Sequence, residues 1–217
     1  PGALRDRVED ALYVGDSAAA RRIIAEPLRA GVPDRLVPGM LTSPSLGPLL
    51  DPAVVQAQLA RGPVSVGGDR GTWMWVQGIY ATLRGDSAAA RAWGDSTRRE
   101  FDRALRALPD DPDLRFFHGV GLALAGRRDD ALRDVRASLA MLRARGYDPR
   151  SSTHSQRLYD AAVAAVLAGA PDAAIGWLEE QRALPLHLSP ARLRVHRYFL
   201  PLHGDPRFQR LTAEGAP

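Results

Sequence analysis

Apolar residues in this chain recur at helical spacing on either side of a repeated glycine. Leu4, Val8, Ala11 and Leu12 share one face before Gly15. Ala131, Leu132, Val135, Leu139 and Leu142 do the same after Gly126. Leu158, Ala161, Ala162, Ala165 and Val166 precede Gly169, and Ala174, Ile175 and Leu178 follow it. With Gly85, these glycines mark four turns between paired helices, since glycine supplies the left-handed conformation that ends the first helix of a hairpin. Five residues after each lies Ala20, Ala90, Ala131 or Ala174, small enough to let the second helix approach the first. Val8, Gly78, Gly119 and Ala162 stand seven residues before the turns, and three of the four are small. Gly-Asp-Ser-Ala-Ala-Ala-Arg occurs verbatim at 15–21 and 85–91, a direct sign of internal repetition.

Capping residues sharpen the boundaries. Asp86 or Ser87 starts a helix reaching about Leu108, and Asp110-Asp111-Pro112 opens the next hairpin. Residues 31–70 interrupt the pattern with six prolines and Gly67-Gly68. One amphipathic helix is expected there, from Asp51 to about Arg61 with Val54, Val55 and Leu59 inward. The rest reads as irregular, either a divergent repeat or a linker, and as the first target of proteolysis. Near the end, Leu188-Ser189-Pro190 reads as a helix start with Ser189 as cap. The expected organisation is an N-terminal hairpin over 1–30, a Pro/Gly-rich connector over 31–70, a repeat array over 71–183 and a C-terminal cap over 184–217.

The small–Gly–Ala register resembles the tetratricopeptide repeat (TPR), carried by Gly78, Gly85 and Ala90, by Gly119, Gly126 and Ala131, and by Ala162, Gly169 and Ala174. The segment from Leu4 to Leu28 fits more loosely, with Val8 at the small position. The turn glycines are spaced 70, 41 and 43 residues apart, so the last two intervals exceed the common repeat of ~34 residues. The tail, with Ser189-Pro190 and Gly204-Asp205-Pro206-Arg207-Phe208, resembles that of bacterial repeat proteins in which such an array sits behind a kinase, cyclase or winged-helix domain. It departs from them at His196-Arg197 and His203. These resemblances imply an all-α fold of TPR-like helical hairpins, an α-solenoid, in a larger bacterial protein.

Composition removes several chemistries. There is no cysteine, so disulfides and thiol catalysis are excluded. Lysine and asparagine are also absent; all 29 basic residues are Arg, as a GC-rich genome would encode. No Schiff-base or P-loop lysine is therefore possible. The formal net charge is only +4. A basic stretch in the tail carries Arg192, Arg194, Arg197 and Arg207, read first as a solvated cap; nucleic-acid binding is not the expected role. The longest apolar run, Ala161–Ala170, is too short to span a bilayer. A cytoplasmic location is favoured, while the start at Pro1 leaves a removed export segment open.

No motif points to catalysis, a cofactor or a metal. The histidines His118, His154, His187, His196 and His203 form no zinc-type spacing. Asp129 and Asp130 read as first-turn helix acids rather than a catalytic dyad. Trp75, Phe116 and Tyr159 occupy one repeat position, with Ile79, Val120 and Val163 four residues on. In the TPR family this position tends to face the concave groove, which would make the six a partner-binding stripe. The alternative is packing between hairpins. The functional expectation is a non-catalytic protein- or peptide-binding scaffold; the alternatives are a self-assembling homo-oligomer and a regulatory module of a kinase, cyclase or transcription regulator.

Overall fold

The computed structural model describes residues 2–30, 33–146, 148, 150–185 and 187–213. These residues are overwhelmingly helical, with no strand among them, in keeping with the all-α class. They group into two compact units: residues 1–73 together with 188–217, and residues 74–187. This grouping differs from the linear division expected above. The N-terminal hairpin, the proline-rich stretch and the tail belong to one unit, and the boundary with the second falls inside a helix.

The first unit opens with α1 (Gly2–Tyr13) and α2 (Ser17–Arg29), turning at Gly15 with φ 81°. Asp16 caps α2 by accepting from the Ala19 amide at 2.8 Å. Val8, Leu12, Ala20 and Ile24 are buried along the hairpin. Two helices follow in the proline-rich stretch, α3 (Pro33–Leu41) and α4 (Pro52–Leu59), with 3-10 turns at Gly47–Leu49 and Gly62–Val66. The helix expected near Asp51–Arg61 is therefore present, with Asp51 as its cap, Val55 and Leu59 buried and Val54 half-buried. The expectation of irregular backbone elsewhere fails at α3. Its prolines stand at the first position and at Pro38, and Val37, Met40 and Leu41 repeat at helical spacing and are buried. The stretch contributes these buried residues to the core of the first unit.

In the same unit, Ser189 caps α11 (Pro190–Val195) by accepting from the Arg192 amide at 3.1 Å, and its hydroxyl donates to the carbonyl of Tyr13 in α1. A Cβ at Gly15 would stand 3.1 Å from the Cβ of Ala191, so the turn glycine is also a contact point. A 3-10 turn (Arg197–Leu202) and α12 (Pro206–Thr212) complete the unit around buried Phe199 and Phe208, whose rings lie 6.1 Å apart.

α5 (Arg70–Leu83) leads into the second unit, which continues with α6 (Ser87–Ala107), α7 (Pro112–Leu124), α8 (Arg128–Ala144), α9 (Ser152–Leu167) and α10 (Pro171–Arg182). The turns at Gly85, Gly126 and Gly169 have φ of 78°, 79° and 68°, the left-handed region where glycine is favoured. Ala90, Ala131 and Ala174 are all buried. Asp86 caps α6 through the Ala89 amide at 2.9 Å, and Asp111 caps α7 through two amides at 2.9 Å.

The small residues sit where the helices cross. A Cβ at Gly119 would lie 3.0 Å from Val135 Cγ2, between α7 and α8. One at Gly78 would lie 2.7 Å from Leu124 and 3.3 Å from Trp93. Two further glycines bring α6 and α7 closer still. A Cβ at Gly94 would stand 2.5 Å from the Ala125 amide nitrogen, and one at Gly121 2.7 Å from that of Arg98. Both would meet backbone, which cannot rotate aside.

Candidate functional site

The six residues of the expected groove stripe are all buried: Trp75, Ile79, Phe116, Val120, Tyr159 and Val163 each keep 7% of their surface or less. Trp75 stacks on Phe117 at 5.5 Å, Phe117 stacks on Phe101 at 5.6 Å, and Phe116 meets Phe117 edge-on. The guanidinium of Arg157 covers the Phe116 ring, 4.6 Å from its centroid. Residues this deeply packed present no open apolar ladder to a partner. Their repeat position is explained by hairpin-to-hairpin packing, because aromatic rings fill the space between stacked helices at large gain in buried area.

The basic tail is tied into its own unit. Arg192 pairs with Glu9 at 2.5 Å and donates to the Ser45 hydroxyl at 2.9 Å. Arg194 donates to the carbonyl of Thr212, and Arg207 pairs with Asp205 at 2.9 Å. Hydrogen bonds from Arg207 hold Asp205 below the usual carboxylate range. Of the four arginines, Arg197 alone is exposed by residue surface.

His196 lies buried against Phe199, with ring centroids 4.8 Å apart. Loss of hydration and the nearby Arg192 charge push its pKa down to about 3, so it is neutral at physiological pH.

A concavity lined by charged side chains lies elsewhere, in the second unit where α6, α7 and α8 meet. It is a hollow of about 330 Å³. His118 of α7 is among its lining residues. Its Nδ1 contacts Asp134 of α8, and its Nε2 lies 3.0 Å from Asp102 of α6 without the alignment of a hydrogen bond. Arg98 pairs with Asp102 at 2.6 Å, and Arg115 lies 3.8 Å from Asp134. At the rim Arg127 and Arg133 both grip Asp130, and their hydrogen bonds hold its carboxyl below the usual range. One imidazole thus links carboxylates from helices of two different hairpins. No group of three or more metal-ligating residues suited to an ion occurs among the described residues.

This constellation escaped the motif reading because its members are not near neighbours in sequence. Asp102, His118 and Asp134 are spaced 16 residues apart. The usable signal was the crossing at Gly119, whose contact with Val135 sets the adjacent residues His118 and Asp134 side by side.

No described helix is long and apolar enough to cross a membrane. No family model matches the chain, and comparison with curated proteins and with solved structures returns no match.

Proposed function

We propose that the chain is a non-catalytic protein-interaction scaffold of TPR type, a helical part of a larger bacterial protein. The observation that supports this most is the recurrence of one hairpin design. Left-handed glycine turns at Gly85, Gly126 and Gly169 are each followed by a buried alanine at the same offset. Repeated hairpins present a broad surface with little machinery for chemistry, which is the character of a binding scaffold. The burial of Trp75, Phe116 and Tyr159 moves the binding surface in this reading from an aromatic stripe to the polar, exposed positions of the helices.

The test is affinity capture from native lysate with the full chain, followed by re-binding of each captured protein in purified form. A purified protein that binds saturably, and cross-links to residues 74–187, is the expected result. Recovery of no protein that re-binds would overturn the reading.

A further inference from the structure

We draw no further inference here: the strongest candidate, the exposed apolar patch formed by Tyr13 and Val14 at the tip of the α1–α2 hairpin beside the start of α11, carries nothing because nothing in the structure shows what covers it.

Discussion

Gly121 and Gly176 are both helical glycines, yet replacement by alanine should move stability in opposite directions. Alanine is favoured over glycine in a helix interior by about 0.8–1.0 kcal/mol. Gly176 is exposed in α10 and has nothing within 4 Å of an added Cβ, so Gly176→Ala should realise most of that gain. At Gly121 the new methyl would sit 2.7 Å from the Arg98 amide nitrogen and 3.2 Å from its Cα. Ordinary contact begins near 3.4 Å, so α6 and α7 must part by about 0.7 Å. A gap of this size forfeits roughly a quarter to a half of each dispersion contact along the crossing. The loss includes the Phe101–Phe117 stack that spans the two helices. Overpacking of this kind costs about 1–3 kcal/mol, which offsets the propensity gain and leaves Gly121→Ala destabilised by up to about 2 kcal/mol. Urea unfolding followed by tryptophan fluorescence suits the measurement, because three of the four tryptophans, Trp75, Trp93 and Trp177, lie in the second unit. If Gly121→Ala proves as stable as the parent, or shifts in the same direction as Gly176→Ala, the close backbone approach is not what sets this crossing.

Phe116→Ala should cost about 3–5 kcal/mol, because the ring is buried and capped by Arg157; a loss below 1 kcal/mol in chemical denaturation would return the residue to an open groove. His196 has its pKa depressed to about 3, so the unfolded chain takes up a proton below about pH 6.5 that the folded chain refuses. Stability should therefore fall between about pH 6.5 and pH 3, by up to about 1.4 kcal/mol per pH unit, and His196→Gln should flatten that slope in circular-dichroism melts; an unaltered slope refutes the assignment. Asp160 shows the opposite case. Burial pushes its pKa up to about 6 against the favourable hydrogen bond from Gln156, so its ionisation costs stability as pH rises from about 4 to 6. The side chain is partly exposed, and solvent screening reduces the cost to about 1–2 kcal/mol. Asp160→Asn should recover that amount at neutral pH and nothing at pH 4; equal effects at both would show that its carboxyl does not titrate with folding.

What could be read from sequence was whatever local chemistry decides. Gly85, Gly126 and Gly169 had to be turns because only glycine fits them cheaply, and Asp86, Asp111 and Ser189 had to be caps because each precedes a helix it can close. α3 was hidden because prolines at its first position and at Pro38 mask a short apolar period at Val37, Met40 and Leu41. The role of the aromatic positions was not decidable locally, since a groove-facing and a stacked ring share the same repeat register. Gly94 and Gly121 carried no turn signal, and their meaning emerges only when α6 and α7 meet. The His118 cluster likewise draws one residue from each of three helices, so no window of sequence contains it.

The membership of the first unit has a consequence for how the chain is made. Hydrogen bonds and ion pairs such as Ser189 to Tyr13 and Arg192 to Glu9 join residues synthesised at opposite ends of this sequence. Residues 74–187 are contiguous and rich in neighbouring-helix contacts, so they can fold as they emerge from the ribosome. The hairpin at the start cannot complete its packing until residue 188 and beyond have followed, and it must wait with part of its apolar face uncovered. Biosynthesis should thus run out of order, the middle maturing before the beginning. A chain stalled before Leu188 would hold a finished second unit and an N-terminal segment open to chaperones and proteases.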